Sequence, residues 1–258
     1  MHKILISKSK DIRLRVLEKV YKTGKGHIGG TYSIIDILVA MYYGKILKDS
    51  DLLLIGKGHA CLASYLIWED LGIIDKKLLD AFGKNGALLG AQFDINTPAS
   101  KYNTGSLGHV IGIGAGYALG LRLQNNTSRR VFIIVGDGEC EEGSIWESID
   151  FAVKNKINNL VIIVDRNRLS VTDFIEDDRL IEKFKAFGAN VVEVEGHDFE
   201  SLLNVFSSIE SLEKGKPFVL IANTIKGKGV SFLENNAKWH NGIFSEKQYK
   251  QAKEELNG

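Results

Sequence analysis

The stretch VFIIVGDGECEEGSIWESIDFAVKNKINNLVIIVDRNRLS, Val131 to Ser170, decides the fold. It holds two continuous apolar runs, 131–135 and 160–164, each ending in a polar turn. Between them, Ile145, Ile149, Ala152 and Val153 recur at helical spacing and predict a helix over 144–157 with one buried stripe. Ser144 and Glu147 have the S-x-x-E spacing of a capping box at its start. The unit reads as strand, helix, strand with a right-handed crossover, so the two strands run parallel and end at the same sheet edge. As neighbours they would lie about 4.8 Å apart. Asp137, at the first turn, and Asn167, at the second, would then converge in the crevice where such sheets bind ligands.

The same pattern extends outward. DLLLIG (51–56), 190–194 and PFVLIANT (217–224) are further apolar strands, and helices are expected over 11–22, Thr31–Tyr43, 108–120, 199–211 and 245–255. The segment after KGHA is expected to be helical to about Leu71, whereas 83–106 is rich in Gly and Asn and reads as irregular. Continuous apolar strands alternating with helices predict a doubly wound α/β domain of about six mostly parallel strands, covered by helices on both faces. The whole of 1–258 is expected to be one domain. GIGAGYALG (112–120) loosely imitates a dinucleotide fingerprint, but the strand before it and the acidic residue at the end of the following strand that such a loop needs are not convincing here. Its glycines are better explained by close helix packing.

Composition excludes several function classes. With 33 basic and 32 acidic residues the net charge is +1, which gives no field for holding nucleic acid or an anionic membrane. No apolar run approaches a membrane span, and MHKILISKSKDIRLRVLEKV has no apolar leader, so a cytoplasmic protein is expected. Cys61 and Cys140 are too few for a disulfide framework and lack metal-ligand spacing.

A carboxylate and an amide carbonyl are hard oxygen donors suited to Mg²⁺ or Ca²⁺, yet two side chains do not complete such a shell. Gly136 and Gly138 let an outside ligand approach the backbone, and a diphosphate is the natural partner for the cation. For Asp137 alone, an ordinary helix-capping aspartate is the simpler explanation; Asn167 at the end of the next strand tips the balance.

On these residues the chain resembles the transketolase family. GDG followed about thirty residues later by Asn is the thiamine diphosphate motif, and GDGECEEGSIWES with VDRNRLS is similar to its transketolase form. GKGHIGGTYSIIDILVAMYYG, IGKGHACLASY, YNTGSLGH, EGHDFESL and KGKGVSFLENNAKWHNG extend the match over most of the chain. The resemblance implies the thiamine diphosphate-binding fold of the diphosphate-binding (PP-type), amino-terminal half of transketolase, encoded as a separate subunit. It implies metal ligation by Asp137, Asn167 and the Leu169 carbonyl, and a Gly138 N–H donated to the diphosphate, with Gly136 alongside. Gly105 and Leu107 would lie beside the aminopyrimidine ring. Glu142 matches an acid that links paired active sites across the dimer interface. His27, His59 and His240 match histidines around the diphosphate and the reacting carbon, where imidazole can donate to developing charge. His197, in GHD, reads as a structural turn.

Two departures from the family stand out. A Gly-His-Pro stretch, whose histidine contacts donor hydroxyls in the family, is replaced by LGAQFDIN, placing Gln92 there. TGSLGHV carries His109 and Val110 where Gln-Gly is common. The family's pyrimidine-binding (Pyr-type) domain has no room in 258 residues, so a companion carboxy-terminal subunit is expected, most simply as two copies of each. The activity implied is Mg²⁺-dependent transfer of a two-carbon ketol unit between sugars, as phosphates. Alternatives are a related ketol or acyloin transferase on an unusual sugar in a biosynthetic pathway, a 2-oxoacid dehydrogenase α-like subunit, and a non-catalytic paralogue. The charge-free IGIGAGYALG predicts an apolar association face.

Overall fold

Alternation along each apolar run places side chains on two sheet faces, and both faces are apolar in the computed structural model. Phe132 and Ile134 point into one core with Val161, Ile163 and Leu220. Their neighbours Val131, Ile133, Val135, Ile162 and Val219 point into the other. The residues described are 1–126, 128–169, 175, 179–209 and 215–258. Ser170 and the expected end of the helix at 210–211 lie outside them.

In chain order, α1 (His2–Thr23) and α2 (Ile28–Tyr43) precede strand β1 (Leu52–Ile55). Helices α3 (Cys61–Asp70), α4 (Lys76–Asp80) and α5 (Val110–Leu123) lead to β2 (Val131–Gly136). Then follow α6 (Gly143–Lys154), β3 (Leu160–Arg166), α7 (Leu180–Ala186), β4 (Asn190–Glu195), α8 (Phe199–Ser208), β5 (Phe218–Asn223) and α9 (Glu246–Asn257). The described sheet has five strands, not six, in the order β1-β2-β3-β5-β4, with every pair parallel. Successive moves from β1 to β4 run one way across the sheet, and the return from β4 to β5 reverses it. Right-handed crossovers therefore put α5, α6 and α7 on one face and α8 on the other, where α1, α2 and α3 also pack.

The central expectation holds: β2 and β3 are paired neighbours, with Gly136 opposite Asp165. GIGAGYALG lies inside α5, as its packing role requires. At Gly114 a Cβ would fall 2.3 Å from Ile133 Cδ1, so a larger residue would make Ile133 shift or lift α5 from β2.

Several local expectations differ from the structure. The capping box does not form: α6 begins at Gly143, with Glu142 at its N-cap. Ser144 therefore lies inside the first turn, where its hydroxyl donates to the Gly108 carbonyl (2.9 Å) and ties α6 to the loop before α5. Helix α1 begins at His2, well before residue 11, because Leu5 and Ser9 are buried against the same core as Ile12 and Val16. Helix α4, capped by Asp75 accepting from the Lys77 N–H (2.7 Å), is not legible as a helix in the sequence; only Leu79 of it is buried.

Candidate active site

The carboxyl ends of β1, β2, β3 and β5 converge on a cavity of about 130 Å³, walled by Lys57, His59, Asp137, Asn167, Leu169 and Lys226, among others. Each strand delivers its residue just past its last ladder bond, which is where a parallel sheet frees side chains for ligands. Asp137 is buried and held by backbone: its Oδ1 accepts from the Gly138 N–H (2.9 Å) and its Oδ2 from the Arg168 N–H. Burial and the nearby Asp165 push its carboxyl up to about 6. Asn167 donates to Asp165 Oδ2 (3.0 Å) and accepts from the Leu169 N–H at its own carbonyl (3.2 Å), so its amide orientation is fixed.

Asp165 is the hub beneath them. It is fully buried and accepts from Lys57 Nζ, Ser33 Oγ (2.6 Å) and Thr224 Oγ1. Burial opposes its ionisation, but the Lys57 charge and these donors hold its carboxyl below the ordinary range. Lys226 reaches in from beyond β5 and donates to the Leu169 carbonyl (2.9 Å). Burial and Lys57 lower its ammonium to about 8.

Three imidazoles form the opposite wall. His27 is the N-cap residue of α2, His59 sits in the single 3-10 turn Gly58–Ala60, and His240 follows the turn Ala237–Trp239. Trp239 stacks on Phe244 (4.7 Å between ring centroids), and both pack against the main core, which anchors this tail segment. All three ring pairs have centroids 5.3 Å apart. A Cβ on Gly30 would lie 3.0 Å from His59 Nε2, so the first turn of α2 admits the ring only because that position is bare. Burial, with Lys57 for His59 and Lys226 for the others, lowers His27, takes His240 to about 4 and His59 to about 2. All three shifts favour the neutral ring. Among the described residues, Nδ1 of His27 and of His240 is buried without a hydrogen-bond partner. Such orphaned groups are rare in folded proteins and point to a ligand.

A model of the family described as transketolase, thiamine diphosphate binding domain, matches residues 6–257. A subunit of the apulose-4-phosphate transketolase of Phocaeicola vulgatus is 36% identical, over 95% of this chain and 91% of the relative. The 6-deoxy-6-sulfo-D-fructose transketolase subunit SqwG of a Clostridium species is 32% identical, over 95% of this chain and 93% of the relative. A solved transketolase from Campylobacter jejuni superposes with a TM-score of 0.90 at 25% identity, over 99% of this chain but only 43% of that one.

The chain belongs to the transketolase family.

As a transketolase thiamine diphosphate-binding domain, it meets the sequence expectation for fold and cofactor class. The structure gathers Leu107, Gly136, Asp137, Gly138, Asn167 and Leu169 on the cavity wall with His59 and His240. His27 joins through its ring contacts. Gly105 lies in the open loop before Leu107, at φ 121 and with nothing near its Cβ position. Gln92 accepts from Thr104 Oγ1 (3.1 Å), and its Oε1 lies 2.4 Å from where a Cβ on Gly58 would be, one residue from His59. Glu142 is exposed at the start of α6 and is not part of the cavity wall.

Sequence reasoning missed Lys57, Lys226 and Glu139. Glu139 is buried and accepts from the Gly108 N–H (3.0 Å) and the Gly136 N–H (3.3 Å), joining the two glycine loops. Burial raises its carboxyl to about 7. The only local signal for the lysines is their glycine neighbours, Gly56 and Gly58 around Lys57 and Gly227 after Lys226.

Among the described residues no three His, Cys, Asp or Glu side chains form a metal cage. A cation here would instead draw on the Asp137 carboxylate, the Asn167 amide oxygen and the Leu169 carbonyl, with a ligand's oxygens completing the shell. That donor set suits Mg²⁺ or Ca²⁺. Burial and the neighbouring Asp165 both disfavour a charged Asp137, and a bound cation would offset that.

Proposed function

We propose that this chain is the diphosphate-binding subunit of a two-chain transketolase that moves a two-carbon ketol unit from a ketose phosphate to an aldose phosphate. The observation that carries the reading is the cluster of three histidines, two of them with a buried ring nitrogen that has no partner among the described residues, beside the oxygen donors of Asp137, Asn167 and Leu169. Thiamine diphosphate, when bound, supplies the reacting carbon and the electron sink; the protein orients and stabilises.

In this reading Asp137, Asn167 and the Leu169 carbonyl hold Mg²⁺. Two present contacts have to yield. The Gly138 N–H now donates to Asp137 Oδ1 (2.9 Å) and would turn to a diphosphate oxygen as the carboxylate turns to the cation. Lys226 now caps the Leu169 carbonyl (2.9 Å) and would move its charge onto the diphosphate as the cation takes that oxygen. Gly105 and Leu107 would offer backbone to the aminopyrimidine side, with Gly136 beneath the diphosphate. His27, His59 and His240, neutral and fixed, would donate N–H bonds to oxygens that gain charge during transfer. Glu142, exposed on α6, would reach a neighbouring protomer and couple two sites.

The companion chain would supply the pyrimidine-binding domain. Support comes from the relatives whose own names make them single subunits of a transketolase, which this chain matches over nearly their full length. The simplest assembly is two copies of each chain, with Ile113 and Tyr117 of α5 and Phe151 of α6, all exposed here, inside the interface. A sugar other than the common ketose phosphates is the second reading. Gln92, placed beside His59's turn, offers an amide where the family has a donor-contacting imidazole, and relatives are named for apulose 4-phosphate and a sulfonated fructose. An amide pairs with hydroxyls but cannot exchange protons near neutral pH, so it changes which donor is matched rather than the reaction class.

The test is a ketol-transfer assay of the purified chain with thiamine diphosphate, Mg²⁺ and a panel of ketose and aldose phosphates, without and then with the companion. Activity only in the presence of the companion is expected. Transfer by the chain alone, unchanged by the companion, would overturn the two-chain reading.

A further inference from the structure

The sequence presents His197 as a plain turn residue, and the structure gives it more to do. Its Nε2 accepts from the Ile225 N–H (2.8 Å), and its Nδ1 lies 2.6 Å from Asp36 Oδ2. Because Nε2 accepts, the ring proton must sit on Nδ1 and be donated to Asp36; the two bonds together fix the neutral tautomer. Asp36 is in turn gripped by Arg13, through Nη1 to Oδ1 (2.9 Å) and Nη2 to Oδ2 (2.6 Å), with Ser9 also donating to Oδ1. Arg13 and Asp36 are 6% and 5% exposed, so this is a buried ion pair with its remaining valences filled.

The network has two outlets, and both fall on one turn. His197 holds the Ile225 N–H, and Arg13 Nε donates to the Lys228 carbonyl (3.0 Å). Between these clamped residues stand Gly227, whose N–H donates to the Gly29 carbonyl (3.1 Å), and Lys226, whose ammonium enters the cavity. Gly29 belongs to the first turn of α2, which His27 caps.

We infer that Arg13, Asp36 and His197 are positioning residues, which set the Lys226 ammonium against the cavity by clamping the 225–228 turn from both ends. This rests on the diphosphate-site reading above for its binding arm and not for its structural arm. Lysine has four flexible torsions and is placed only as well as its backbone is placed. A buried, fully paired ion network is rigid, and removing one partner leaves the others unsatisfied. His197 is not on the cavity wall and reaches the turn through the Ile225 N–H, and through Asp36 and Arg13 to Lys228.

The experiment compares His197→Phe, which keeps ring volume but no acceptor, with His197→Gln, whose side-chain oxygen reaches as far as Nε2. Hydrogen exchange on the full chain is expected to show faster exchange confined to the 224–228 turn in His197→Phe and restored protection in His197→Gln. In the complex with the companion, calorimetry with thiamine diphosphate and Mg²⁺ is expected to show about tenfold weaker binding for His197→Phe, the effect of losing one buried hydrogen bond. That loss should disappear in a Lys226→Met background, since coupled residues are not additive. Exchange raised across the whole sheet, or an affinity loss that persists without Lys226, would overturn the positioning role. Failure of the wild type to bind thiamine diphosphate would instead count against the proposed function, and the exchange result would still decide the clamp.

Discussion

Two polar clusters share helix α2, and one is closed where the other is open. Around Asp36, both carboxylate oxygens, both nitrogens of His197 and all three guanidinium nitrogens of Arg13 have partners. Around His27, at the start of the same helix, three neutral rings face one another at 5.3 Å, and two of their nitrogens have none. Burying a polar group without a hydrogen bond costs free energy, so pairing offsets the burial cost in the first cluster and the second is held open at a cost. A site that binds an anion through neutral donors needs such open valences.

The comparison breaks most visibly on the closed side. Asp36→Ala would leave the Arg13 guanidinium buried without its counter-charge, and a loss of about 3–5 kcal/mol in unfolding free energy is expected. Denaturant titration of the chain checks it; a loss below about 1 kcal/mol would mean that the pair is screened and the cluster is not closed in the sense used here. On the open side the sign reverses between stability and function. His27→Ala, His59→Ala and His240→Ala should each lower ketol-transfer turnover in the complex by about 10²–10³, the usual cost of one preorganised donor, while the melting temperature stays the same or rises. Normal turnover in any of the three would return that ring to an ordinary packing role.

Why the open cluster is legible in the sequence and the closed one is not follows from what each residue type signals alone. Asp137 and Asn167 stand out because glycines and the ends of two apolar runs frame them, and pairing of β2 with β3 brings them together as expected. The histidines carry a family resemblance, and each sits at a turn. Arg13 gives no such signal, and Lys57 and Lys226 give only their glycine neighbours, a setting that the exposed Lys25 shares. A basic residue in a polar stretch reads as solvated surface, and only the folded partners, Asp165, Leu169 and Asp36, show these three to be buried. Ser144 and Glu147 mislead in the opposite direction. Their spacing fits a capping box, but Gly143 has already opened the helix, and the Gly108 carbonyl draws the serine hydroxyl away. Local spacing announces a motif, and tertiary competition decides whether it forms.

A smaller effect sharpens the boundary of the open cluster. Gln92 is held by Thr104 (3.1 Å) and sits beside the turn of His59 without belonging to the cavity wall. Gln92→His should shift donor preference toward common ketose phosphates by about tenfold or less, as expected for one altered polar contact in a pocket, with thiamine diphosphate affinity unchanged. Donor profiling with identical relative efficiencies before and after the change would place Gln92 outside the substrate path.

The most direct measurement is calorimetric titration of thiamine diphosphate into the complex of this chain with its companion, in Mg²⁺ and again in excess EDTA, with Asp137→Ala alongside. Saturable binding in Mg²⁺ that is lost both in EDTA and in Asp137→Ala is the predicted result. Equal affinity under all three conditions would mean that Asp137, Asn167 and Leu169 hold no cation and that the open cluster does not receive a metal-bound diphosphate.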